Sequence, residues 1–125
     1  MSYGKFTERA QLVIMAAQKE SQKFKHGYIG TEHILIGIMA ENGYSSELLE
    51  KYGIEIEEIR NMLEEYLGYG DSLMPKGELL LTPRTKRLFD ESIIEAKKLN
   101  HKYVSPEHLL LALINEEEGV AYTIL

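Results

Sequence analysis

The chain has 125 residues, a formal net charge of −6 and no cysteine. That length suits one domain able to bury about two thirds of its unfolded surface. The acidic balance argues against non-specific nucleic-acid binding, and the lack of cysteine excludes disulfides, thiol chemistry and zinc–thiolate sites. Composition is that of an ordinary folded protein, no apolar run reaches ~18 residues, and MSYGKFTERA does not resemble a signal peptide, so a cytoplasmic protein without a membrane span is expected.

In chain order, an amphipathic helix opens after Thr7, a good N-cap, with Ala10, Val13, Ile14, Ala17, Ser21 and Phe24 on one stripe. A short link, His26 to Gly30, leads to a second helix whose start is signalled by Gly30-Thr31-Glu32. Its Ile34, Leu35, Ile36, Ile38 and Met39 leave almost no polar face, which places it inside a bundle. A short helix is predicted at about Ser45 to Tyr52, stopped by Gly53. A fourth runs at about Glu55 to Leu67, with Ile56, Ile59, Leu63, Tyr66 and Leu67 on one stripe and Gly68 as its stop.

Glycine, proline and polar residues then mark a joint at about 69–80. The next helix is capped by Thr82, with Pro83 in its first turn and Leu88, Phe89, Ser92, Ala96 and Leu99 on its apolar side. Ser105-Pro106-Glu107 starts another greasy helix, apolar all round from Leu109 to Ile114, and a last short helix is expected from Val120 to Leu125. No segment reads as a strand.

The two halves repeat each other. At an offset of 75 positions Thr7 falls on Thr82, Arg9 on Arg84, Glu20 on Glu95, Lys23 on Lys98, His26 on His101, Tyr28 on Tyr103, Glu32 on Glu107 and His33 on His108. Amphipathicity alone repeats apolar positions, whereas coincident Thr, Arg, Glu and His point to a duplicated unit. The expected fold is therefore all-α: one domain over 1–125, built as a tandem pseudo-twofold repeat of a four-helix unit. Repeat one covers about 3–68, the linker about 69–80 and repeat two about 81–125, with the last helix of the second repeat missing.

No phosphate loop, HExxH, GxSxG or calcium loop is present, so no catalytic residue is assigned and a binding role is expected rather than an enzymatic one. His26 with His33, and His101 with His108, lie seven residues apart across a loop, which is no recognised ligand spacing. His33 and His108 are read as structural, bonded to neighbouring backbone or side chains, and no metal is expected. Glu32 and Glu107 each stand in the first turn of a helix, where the dipole favours a carboxylate by about 0.3–1 kcal/mol. If the two helix starts of one repeat meet, each acid would lie beside the donor-rich helix end opened by Thr7 or Thr82. Such a site offers an acid for a cation and N–H or O–H donors for an anion.

FTERAQ followed by GYIGTEHILIGI, and LTPR followed by YVSPEHLLLALI, resemble the amino-terminal domain of bacterial Clp AAA+ unfoldases, of the ClpC type, over essentially the whole chain. The resemblance implies an all-helical pseudo-dimer that receives clients and adaptor proteins such as MecA and McsB and passes clients to an ATP-driven ring and the ClpP protease. It also implies a phosphoarginine receptor with one pocket per repeat and no cofactor. Carried over, the first pocket holds Thr7 and Glu32, with Lys5 assisting the phosphate, and the second holds Thr82 and Glu107. Ser105-Pro106 stands where that pattern has Gly-Thr, which removes one backbone donor and predicts a weaker second pocket. The alternatives are a Clp amino-terminal domain that binds adaptors or unfolded segments without reading phosphoarginine, or a free-standing regulator.

Overall fold

The fold is taken from a computed structural model in which residues 5–70 and 80–116 are described. Among these residues there are six helices and no strand: α1 (Glu8–Phe24), α2 (Thr31–Glu41), α3 (Tyr44–Lys51), α4 (Ile56–Leu67), α5 (Pro83–Lys98) and α6 (Pro106–Asn115). The all-α expectation holds. The helix expected at Val120 to Leu125 and most of the 69–80 joint lie outside the described residues. None of the described helices is long and apolar enough to cross a membrane.

The predicted caps form. Thr7 and Thr82 sit in extended backbone and accept the N–H groups of Ala10 and Thr85 on their hydroxyls, both at 3.1 Å. Lys25 and Asn100, again 75 positions apart, both turn into the left-handed region at the ends of the opening helices. Glycine ends α4 at Gly68 as expected, with φ 63°.

The core is α2, buried from Thr31 to Met39, packed on α1 and flanked by α3, α4 and α6. Two polar ties hold α1 in place. Arg9 grips Glu41 with both ends of its guanidinium at 2.9 Å, joining the start of α1 to the end of α2. The buried Glu20 accepts Arg60 Nη2 at 2.6 Å, joining α1 to α4. In the second half the equivalent Glu95 has Lys98 at 3.6 Å and Asn115 at 3.3 Å instead.

The two halves are stitched together by backbone bonds that the sequence did not announce. Thr7 N–H donates to Val104 O at 2.9 Å and Val104 N–H to Lys5 O at 2.8 Å. The symmetric pair is Thr82 N–H to Ile29 O at 3.1 Å and Ile29 N–H to Leu80 O at 2.7 Å. Each makes an isolated parallel bridge, Phe6 with Val104 and Leu81 with Ile29. The segment entering each opening helix thus pairs with the link of the other half. Phe6 follows it across and meets Phe89 edge to face at 5.4 Å.

Three apolar expectations need correction. Leu99 is 51% exposed, and α6 is not apolar-buried all round, because Leu111 and Ile114 are 37% and 50% exposed. Their counterparts Phe24, Ile36 and Met39 are buried; α3 and α4 pack on α2, and Tyr69 on Phe24, whereas the described residues of the second half include no counterparts of α3 and α4 to cover α6 in the same way. On α4, Ile59 and Leu63 are buried but Tyr66 and Leu67, at the free end, are exposed.

The histidines form relays, as the structural reading expects. Gly30 N–H donates to His33 Nδ1 at 2.8 Å, which fixes the His33 proton on Nε2. That proton goes to His26 Nδ1 at 2.8 Å, and His26 Nε2–H goes to Gly68 O at 2.8 Å. Ser105 N–H, His108 and His101 repeat the first two steps at 2.8 Å each. Burial first, and His26 beside it second, push the His33 pKa down to about 3.

The unfolded chain therefore takes up a proton near pH 6.5 that folded His33 refuses until about pH 3, so stability falls as pH drops through this window. Chemical denaturation at pH 7 and pH 5 should show wild type losing about 2 kcal/mol more than His33→Gln, whose amide can still accept Gly30 N–H. Contributions from other groups cancel in that difference. Equal losses would mean that His33 is not held neutral.

Candidate functional site

The crossed backbone pairing decides which helix starts meet. Because Thr82 is bonded to Ile29, the start of α5 lies against the start of α2. Glu32 and Thr82 accordingly line one cavity of about 420 Å³, together with Tyr28, Gly30, Thr31, Pro83, Arg84 and Arg87. Thr7 is not among its walls; it is bonded to Val104, on the Ser105–Glu107 side, and Arg9 feels the charge of Glu107. The expected grouping of Thr7 with Glu32 is therefore corrected: Glu32 shares its cavity with Thr82, while Thr7 is bonded beside the link that leads to Glu107. Lys5, exposed, accepts Val104 N–H on its backbone oxygen and so lies on that same side. The reason is topological, since each leading segment crosses to the other half.

Glu32 is only 7% exposed. Its carboxylate accepts its own backbone N–H, and among the described residues no other donor reaches hydrogen-bonding distance; His33 Nδ1 lies at 3.8 Å and already accepts Gly30. Burial raises its pKa, against the backbone bond and the more distant charges of His26 and Arg84, which lower it. Gly30 makes room for it: a β-carbon there would stand 2.3 Å from Oε1 and 2.7 Å from Oε2 of Glu32. Any side chain at Gly30 would expel the carboxylate from this position.

Thr82 is less available than its sequence position suggests. Its hydroxyl oxygen accepts Thr85 N–H, and it lies 2.8 Å from Thr85 Oγ1, whose own proton goes to Ile29 O at 2.9 Å. The Thr82 proton is therefore donated to Thr85. In the other cleft Ala10 replaces Thr85, so the Thr7 hydroxyl makes no corresponding bond. Sequence reasoning missed Arg84, Arg87 and Tyr28 as cavity walls. The basic residues at α5 positions two and five were visible, but their relation to Glu32 depends on the crossing.

The arrangement can hold a planar cation against Glu32 and an anion against the arginines, with Tyr28 as an aromatic wall. Comparison with known proteins supplies the family. The profile described as the Clp repeat N-terminal domain matches residues 5–125. The chain belongs to the Clp repeat N-terminal domain family. Relatives of this Clp N-domain include the chaperone protein ClpB of Oceanobacillus iheyensis, 43% identical over 100% of this chain and 15% of that protein. The ATP-binding subunit ClpC of the Clp protease from Staphylococcus saprophyticus is 44% identical over 97% of this chain and 15% of its own length. ClpC/MecB of Bacillus subtilis, named a negative regulator of genetic competence, is 43% identical with the same 15% share. The chain thus spans about 15% of the length of these curated relatives. Among solved structures, the N-terminal domain of the chaperone ClpD from Arabidopsis thaliana matches with a TM-score of 0.83 at 26% identity, over 100% of this chain and 85% of that one.

A buried carboxylate whose pKa is raised costs the fold nothing below the ordinary carboxylate range, and its full penalty above the raised value. In this Clp N-domain Glu32→Gln should therefore raise the melting temperature at pH 7, and the gain should vanish near pH 4. A lower melting temperature at pH 7 would show that the carboxylate stabilises the fold instead.

Proposed function

We propose that residues 1–125 form the recognition domain of a ClpC-type unfoldase, a two-repeat binding module that presents clients to an ATP-driven ring and its ClpP protease partner. The ligand we propose is phosphoarginine on client proteins. The clefts that receive it are Glu32 with Thr82, and Glu107 with Thr7 assisted by Lys5.

The observation that carries this reading is Glu32: a buried carboxylate with no donor from another described residue, in a cavity that also holds arginines. A guanidinium brings the donors that Glu32 lacks, in a fork that fits a carboxylate. The phosphoryl group on the same side chain brings the charge that arginines accept. Charge-assisted bonds of this kind contribute about 1.5–3 kcal/mol each, so two or three give useful affinity. Adaptors of the MecA or McsB type are proposed as further partners, by the ClpC and ClpC/MecB kinship.

A second reading has its own support. Leu99, Leu111 and Ile114 leave an apolar face open on the second half, suited to adaptors or unfolded segments that carry no phosphoarginine.

Calorimetric titration separates the two. Free phosphoarginine should bind wild type, with arginine alone and phosphate alone both weaker, and Glu32→Ala should weaken binding at least tenfold. No heat with wild type would discard phosphoarginine recognition in favour of the apolar face.

A further inference from the structure

The walls of the Glu32 cavity differ from the residues that the 75-residue offset puts on the Glu107 side. On the Glu32 side the walls are Gly30, Thr31, Glu32, Thr82, Pro83, Arg84 and Arg87. At the 75-residue offset the Glu107 side has Ser105, Pro106, Glu107, Thr7, Glu8, Arg9 and Leu12. Arg84 and Arg9 correspond, so they do not distinguish the clefts. Arg87 against Leu12, Pro83 against Glu8 and Gly30 against Ser105 do.

Arg87 differs in its partners from Arg9 and Arg60. Arg9 is held by Glu41, and Arg60 by Glu20 and Glu57 at 2.6 and 2.5 Å. Arg87 makes no hydrogen bond or ion pair with any described residue, although it is exposed at the cavity rim. Glu91, one turn further on, shares with it a smaller adjoining cavity of about 230 Å³ without pairing to it. Meanwhile the hydroxyl that sequence reasoning gave to the anion, that of Thr82, donates to Thr85. The cavity therefore contains a cation that pairs with no described residue and a hydroxyl already committed.

Resting on the phosphoarginine reading of this site, we infer that Arg87 is its anion-holding and specificity-determining residue, and that the Glu32–Thr82 cleft is occupied before the Glu107–Thr7 cleft. Arg87 stands one turn beyond Arg84 on the same helix, and both line the cavity that holds Glu32. Leu12 offers nothing to an anion, and Glu8 adds negative charge at the rim, opposed there by Lys5 alone among the positions that differ. Ser105 already carries the β-carbon whose absence at Gly30 lets Glu32 sink, and Glu107 is correspondingly less buried. Pro106 removes a helix-start N–H that Thr31 retains.

The test is the stoichiometry and selectivity of phosphoarginine binding to the whole 125-residue chain, read by calorimetry. Wild type should show one tight site, with any second site at least tenfold weaker, about 1.4 kcal/mol. Arg87→Leu should weaken the tight site about tenfold and shrink the preference for phosphoarginine over plain arginine. Arg87→Lys should restore part of both, which a merely structural role would not predict. The double variant Leu12→Arg with Ser105→Gly should strengthen the weak site. Two equal sites in wild type, or an Arg87→Leu variant that keeps its preference, would overturn the inference while leaving phosphoarginine recognition intact. Absence of all binding by folded wild type would instead remove the reading beneath it.

Discussion

Four backbone hydrogen bonds govern the rest of the molecule. Thr7 and Lys5 bond to Val104, and Thr82 and Leu80 to Ile29, so each half threads its leading segment through the link of the other. These bonds satisfy buried groups at Ile29 and Val104 that no helix could pair. They also choose the neighbours of every functional side chain. The start of α5 lies on the start of α2, and a cleft belongs to the contact between halves rather than to either one.

Gly30 shows how local chemistry serves this contact. Its N–H fixes the buried His33 as a neutral ring, and its missing β-carbon admits the Glu32 carboxylate. A protonated imidazole here would point its Nδ1–H at Gly30 N–H and lose the bond between them. A neutral one leaves Glu32 without a buried counter-ion at contact distance. The fold thus holds a carboxylate at some cost in stability, the expected arrangement where a ligand and not the protein supplies the missing donors.

Much of this was legible in the residues. Thr7 and Thr82 acted as caps, the greasy α2 lay in the core, and the 75-residue echo of His and Thr appeared again as matched hydrogen bonds. The pairing of Glu32 with Thr82 was not legible, because a duplicated sequence looks the same whether its units fold apart or exchange their leading segments. Only two or three residues bridge at each crossing, too few for a strand pattern to register. The exposure of Leu99, Leu111 and Ile114 was hidden for a related reason: periodicity shows which face is apolar, not whether a neighbour covers it. Arg87 was hidden because a charged residue on an amphipathic helix reads as solvated surface until the opposite wall is known.

The claim at the centre is that one ligand site is built from both halves. A crystal of the domain soaked with phosphoarginine addresses it most directly. The account predicts a ligand spanning the contact between α2 and α5, its guanidinium within hydrogen-bonding distance of Glu32 and its phosphoryl group beside the first turns of α5. A ligand bridging Glu32 and Thr7, or bound wholly within one half, would contradict it.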